Sequence, residues 1–104
     1  MRTVIVEFSV VPIGGGVSVS EFLVPALKEL ERRGIRYEVT AMSTIFEAED
    51  IKEALDAIGA AHEAIFKTGI KRVITLIRID DSGDKKVSMK KKVESLISKI
   101  KERS

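Results

Sequence analysis

The chain echoes itself once, and the echo limits the folds open to it. Leu30-Glu-Arg-Arg-Gly-Ile-Arg-Tyr-Glu-Val-Thr returns further on as Ile65-Phe-Lys-Thr-Gly-Ile-Lys-Arg-Val-Ile-Thr. Each copy reads as the end of a helix, a glycine for a left-handed turn, an isoleucine, a basic residue and then a strand. With a strand ahead of each helix, the two copies become two β-α-β halves. A hairpin between the halves gives the order β-α-β-β-α-β.

The remaining patterns fit that order. Thr3 to Val11 alternates, with Val4, Val6, Phe8 and Val10 on one face and Thr3, Ile5, Glu7, Ser9 and Val11 on the other. Val19, Phe22, Leu23, Ala26, Leu27 and Leu30 form one helical stripe that ends at Gly34. Ser18 and Glu21 have capping-box spacing, and Ser20 is a rival start. Pro25 favours Ser20, or a kinked first turn, because proline inside a helix removes a hydrogen bond. Ile35–Ala41 and Ser43–Ala48 read as two strands joined tightly near Met42. Asp50, with Glu53, caps a helix whose stripe runs through Ile51, Ala54, Leu55, Ile58, Ala61, His62, Ile65 and Phe66 to Gly69. Lys71–Asp80 reads as a strand, Asp81-Ser-Gly-Asp as a turn and Val87–Lys101 as a last helix. This predicts a single α+β domain over residues 1–104, a ferredoxin-like β-α-β-β-α-β sandwich with an antiparallel sheet plus a C-terminal helix. Helices should cover one sheet face. The other, with Ile5, Val11, Met42 and Ile77, is too apolar for water and calls for a second copy of the chain.

Composition removes several functions. With no Cys there is no disulfide, thiol catalysis or cysteine metal site. No apolar run reaches a membrane span and no signal-peptide pattern opens the chain, so a soluble cytoplasmic protein is expected. Asn, Gln and Trp are missing while Lys, Glu, Arg and Ile abound, which points to a thermophilic source. Lys85–Ser104 carries eight basic against two acidic residues, and the rest of the chain ten against fourteen. That basic tail reads as the wet face of the last helix, whose stripe is Met89, Val93, Leu96, Ile97 and Ile100, rather than as a nucleic-acid site. An RNA-binding version of the fold needs exposed aromatics on its central strands, and an acylphosphatase needs an Asn; this chain has neither.

What remains is polar chemistry placed where packing does not ask for it. Glu7 and Ser9 interrupt the first strand, and Thr40, Thr44 and Glu47 the central pair. Buried carboxylates need a partner, so a bound cation, an Arg from a neighbour or a protonated acid must answer for Glu7 and Glu47. Thr is a good strand former and weighs less. Gly14-Gly-Gly before Ser18 outlines an anion cradle at a helix start, but lacks the spacing of a nucleotide loop. A structural turn explains it equally well. His62, the lone histidine, sits on a buried stripe and reads as a hydrogen-bonded, half-buried residue rather than a catalyst. Without a second His or any Cys, no transition-metal site is expected. A hard cation could use Asp80, Asp81 and Asp84, though a solvated turn explains those acids more simply.

Nearly the whole chain resembles the small thiamine-binding proteins, formerly uncharacterised protein family 0045. The resemblance is carried by Val11-Pro-Ile-Gly followed by Ser18-Val-Ser, by Tyr37-Glu-Val-Thr-Ala-Met-Ser-Thr, by Ala60-Ala-His-Glu-Ala-Ile-Phe, and by Gly69-Ile-Lys-Arg-Val-Ile-Thr leading to Ile79-Asp-Asp. It implies a ferredoxin-like fold, dimers paired into a homotetramer, and thiamine or its pyrimidine moiety bound between subunits, with no catalytic residues and no cofactor. Pro12, Ser18, Ser20, Met42 and Thr44 match the family motifs. Together with Glu7, Ser9, Thr40 and Glu47 from the strands and Gly14 from the glycine loop, they make the candidate ligand residues Glu7, Ser9, Pro12, Gly14, Ser18, Ser20, Thr40, Met42, Thr44 and Glu47. The partners would be the protein itself and a small molecule, with neither nucleic acid nor membrane. The chemistry is compatible: thiamine joins a permanent cation to an aminopyrimidine that hydrogen-bonds carboxylates. Apolar walls with one or two acids and hydroxyls would suit it. The alternative is a regulatory or scaffolding oligomer whose glutamates pair with Arg36, Arg72 or Arg78 of a neighbour.

Overall fold

Alternation along the first strand decides which side of the sheet becomes the core. In the computed structural model, which describes residues 3–14, 18–83 and 86–103, β1 spans Val4–Pro12. Its Val4, Val6, Phe8 and Val10 are buried, while Ile5, Glu7 and Ser9 are half-covered on the opposite face. The elements that follow are α1 (Val19–Arg32), β2 (Tyr37–Val39), β3 (Thr44–Ala48), α2 (Ile51–Phe66), β4 (Val73–Asp81) and α3 (Met89–Glu102). The four strands form an antiparallel sheet in the order β2-β3-β1-β4, the expected α+β arrangement.

The core lies between one sheet face and the helices α1 and α2. Phe8 and Phe46 meet edge to face with ring centroids 5.9 Å apart. Leu30 and Ile65 are fully buried with them. Small residues, Ala26 on α1 and Ala54, Ala57, Ala61 and Ala64 on α2, are also buried there and allow the two helices to lie close together. Asp50 caps α2 by accepting from the Glu53 N–H at 2.8 Å, as its spacing implies.

Local chemistry moves several boundaries. Ser18, not Ser20, is the N-cap of α1, in extended conformation, yet its hydroxyl caps nothing and shares a 2.7 Å hydrogen bond with the Ser20 hydroxyl. Pro25 is accommodated inside the helix, so it does not push the start to Ser20. Ile35 does not begin β2; its N–H closes α1 on the Leu30 carbonyl at 3.0 Å, past Gly34 at φ 73°, and its side chain is buried. The β2–β3 turn has no glycine because Thr40 builds it. Thr40 Oγ1 donates to the Ser43 carbonyl at 3.0 Å and accepts from the Ser43 N–H at 3.1 Å.

The other face of the sheet is open. Register places Ile5, Glu7, Ser9 and Val11 beside Ile74, Leu76, Arg78 and Asp80 of β4, with Ile45 and Glu47 of β3 on the other flank. Ile77 is therefore not part of this face. It pairs with Phe8 and lies on the helix side, where α1 and α2 leave it half exposed. In the sequence the alternation of Arg78 and Asp80 with Ile77 and Ile79 covers only the end of the strand, and one residue of shift reverses the face.

α3 differs from the other helices because none of its residues is buried. Its stripe, expected to be packed, leaves Val93, Leu96, Ile97 and Ile100 exposed. Its first turn is fastened across the open face: Glu47 of β3 accepts from the Met89 N–H at 2.6 Å, and Lys92 bonds Asp80 of β4. The radius of gyration of 15.5 Å exceeds the roughly 13 Å of a compact chain this long, consistent with a helix that stands off the body. Among the described residues no helix is long and apolar enough to cross a membrane.

Candidate functional site

Between the fastened end of α3 and the β2–β3 turn, the open face holds a shallow recess of about 280 Å³. Glu7, Ser9, Met42, Ser43, Leu76 and Arg78 line it. β1 contributes Glu7 and Ser9 as alternate residues on one face, and β4 sets Arg78 opposite Glu7 and Leu76 opposite Ser9. The turn built by Thr40 swings Ser43 and Met42 over the rim.

Glu7 is the centre of the arrangement. One carboxylate oxygen accepts from the Ser43 hydroxyl at 2.9 Å, and the other lies 3.5 Å from Nε of Arg78. Its side chain is 37% exposed, so the carboxylate is held and oriented but still reachable. Around it Leu76 is 62% and Met42 86% exposed, and Val11 and Ile74 extend the apolar surface. A half-covered acid amid open apolar surface suits a flat ligand with an N–H donor or a positive charge.

The ten residues expected at the site fall into five places. Glu7, Ser9 and Met42 come together in the recess. Thr40 stands beside it, but its hydroxyl is spent on the turn. Thr44 pairs with Phe8, and at 5% exposure is buried on the helix side, so the sheet itself separates it from Glu7. Glu47 shares the open face, opposite Ile5, but its carboxylate holds the start of α3. Pro12 pairs with Val73 at the far end of β1, Gly14 lies beyond it at φ 84°, and Ser18 and Ser20 bond one another at the start of α1. Gly15, Gly16 and Val17, the rest of the suggested anion cradle, fall outside the described residues, as does Asp84 of the suggested cation cluster. Asp80 of that cluster pairs with Lys92.

Three of these lining residues escaped the sequence reading: the apolar Leu76 and the polar Ser43 and Arg78. Ser43 looked like the first residue of a strand, and Arg78 like a partner for a neighbouring chain. The signal was available for Arg78: it is two residues from Leu76 and Asp80, the spacing of one strand face. Its pairing with Glu7 lies within the chain, so that carboxylate does not need a neighbour's arginine. His62 takes no part here. It is half-buried on the helix side, with Nδ1 2.6 Å from the Thr75 hydroxyl and its ring edge-on to Phe66.

A second, wider groove runs beneath α3, lined by Tyr37, Glu38, Glu47, Glu53, Lys86 and Met89 among others. Tyr37 donates to Glu31 at 2.7 Å, and that hydrogen bond to a carboxylate raises its phenol above the ordinary value. This groove is charged and open.

Comparison with known proteins agrees with the fold. A UPF0045 protein of Methanothermobacter thermautotrophicus is 40% identical over 95 residues, covering 90% of this chain and 96% of the relative. A crystal structure of a Methanocaldococcus jannaschii protein superposes with a TM-score of 0.81 at 31% identity, covering 92% and 97% of the two chains. A Thermotoga maritima protein provisionally assigned to thiamine biosynthesis or salvage shares the fold, with a TM-score of 0.77 at 22% identity over 91% of this chain and 99% of that one. The model of the family described as thiamine-binding protein matches residues 6–97. By that match and those relatives, this chain belongs to the thiamine-binding protein family.

Proposed function

We propose that this chain is a non-enzymatic binding protein for thiamine or a related aminopyrimidine, acting as a cytoplasmic homo-oligomer with the ligand at a subunit boundary. The observation that carries the reading is Glu7, held by Ser43 and still reachable in the recess. An aminopyrimidine donates to such a carboxylate, and a thiazolium is attracted by it. Leu76 and Met42 offer the apolar contact that a flat heterocycle requires. His62, the imidazole that could act as a base, lies on the opposite side of the sheet, away from any substrate in this recess.

The subunit boundary follows from the exposed apolar surface. Val11, Met42, Ile74 and Leu76 on the sheet, and Val93, Leu96, Ile97 and Ile100 on α3, are more than a soluble monomer ordinarily leaves in water. A second copy would cover both and turn the shallow recess into an enclosed site.

A thermal-shift screen with thiamine, its phosphates and the hydroxymethyl pyrimidine tests this directly. A ligand at 100-fold its dissociation constant adds about 2.7 kcal/mol, a shift of several degrees. No shift with any of them, confirmed by calorimetry, rejects the reading. The second reading, an oligomeric scaffold without a small ligand, draws on the same exposed stripe of α3. It predicts a stable oligomer that ignores every compound in the screen.

A further inference from the structure

The recess has two poles. Glu7 and Arg78 stand directly opposite in the β1–β4 ladder, with Nε 3.5 Å from the carboxylate. That separation is longer than the roughly 2.7–2.9 Å of a full charge-assisted hydrogen bond. The Arg78 side chain is 87% exposed, and among the described residues its guanidinium has no other partner. Most of its N–H donors are thus free to meet something else. Charges of opposite sign this close largely cancel for a ligand that carries only a cation, which Arg78 repels as Glu7 attracts it. A ligand with a donor or cationic end for Glu7 and an anionic end for Arg78 gains from both.

We propose that Arg78 is a specificity-determining residue that reads an anionic group on the ligand, so that the recess prefers a phosphate ester to the unphosphorylated compound. This rests on the thiamine-type reading above. A guanidinium matches phosphate oxygens with two parallel hydrogen bonds, which a point charge does not. Its place on β4, a nine-residue strand paired along its whole length with β1, fixes where that group must lie relative to Glu7. Ser9, opposite Leu76, adds a hydroxyl to the same recess.

Calorimetric titration with thiamine and with thiamine monophosphate, on the unaltered protein, Arg78→Gln and Arg72→Gln, tests the proposal. Arg72→Gln removes the same charge just before β4 and controls for net charge. We expect the unaltered protein to bind the phosphate ester roughly tenfold tighter. Arg78→Gln should abolish that preference while binding thiamine at least as well, and Arg72→Gln should keep it. Equal affinity for the two compounds, or a preference that survives Arg78→Gln, overturns the Arg78 assignment and leaves thiamine binding standing. If neither compound binds, both readings fall. Because Arg78 is so exposed, its variant should melt close to the unaltered protein, which separates lost recognition from lost folding.

Discussion

On one side of the sheet Val4, Val6, Phe8 and Phe46 are sealed beneath two helices. One residue away along the same strands, Ile5, Glu7, Ser9 and Ile45 are only half covered, and Leu76 of β4 is 62% exposed. Over β1 and β3 the helix side has matched apolar surface on both layers, so the chain buries that core by itself, with Ile77 and Ile79 of β4 at its margin. The open side mixes a carboxylate, a guanidinium and hydroxyls with aliphatic residues, and α3, whose first turn is fastened across it, buries none of its residues there. The first face holds the chain folded. The second carries the recess that we propose meets a ligand.

Substitutions on the two faces should separate these roles. The largest effect is expected from Phe46→Ala, which removes a fully buried ring that packs against Phe8. It should cost about 3–5 kcal/mol in denaturant unfolding of the ligand-free protein. A loss below about 1 kcal/mol would mean that the helix side is not the stabilising face.

Glu47→Ala should have an intermediate effect. Glu47 accepts from the first N–H of α3, as an N-cap does, so its removal should cost about 0.5–2 kcal/mol, felt as faster hydrogen exchange in the first turn of α3. Ligand affinity should change less than it does on altering Glu7. The opposite ranking would return Glu47 to the binding site.

The smallest effect on subunit stability is expected from Leu76→Ser. The side chain is mostly in water in the single chain, so the change should stay within about 0.5 kcal/mol there. Light scattering should nonetheless register a smaller assembly. An oligomer of unchanged size would break the link between the open face and association.

Much of this contrast was legible in the sequence. The echo around Gly34 and Gly69 indicated the element order, and the strict alternation of β1 separated its two faces. Legibility failed wherever one residue of register decides the outcome. Thr44 and Glu47 are both polar residues of a five-residue strand, and nothing local says that the first turns inward and the second outward. Ile77 alternates with Arg78 and Asp80, which points to its face, but the apolar residues before it leave that period short. Ser43 and Arg78 acquire meaning only through Glu7, across the turn and across the ladder, and such pairing is a property of the folded sheet. For α3 the stripe was plain, but amphipathicity indicates that a helix has an apolar side and not what covers it.

The central claim is that Glu7 on the open face is the group that meets the ligand. Calorimetric titration of thiamine into the unaltered protein and into Glu7→Gln tests it most directly. The variant keeps the size and an oxygen for Ser43 and removes the charge. It gives up an exposed ion pair with Arg78 worth no more than about 1 kcal/mol, so its melting temperature should remain near that of the unaltered protein. Thiamine affinity should fall by roughly tenfold or more, the scale of a hydrogen bond to a charged group. Unchanged affinity in a folded Glu7→Gln protein would contradict the account.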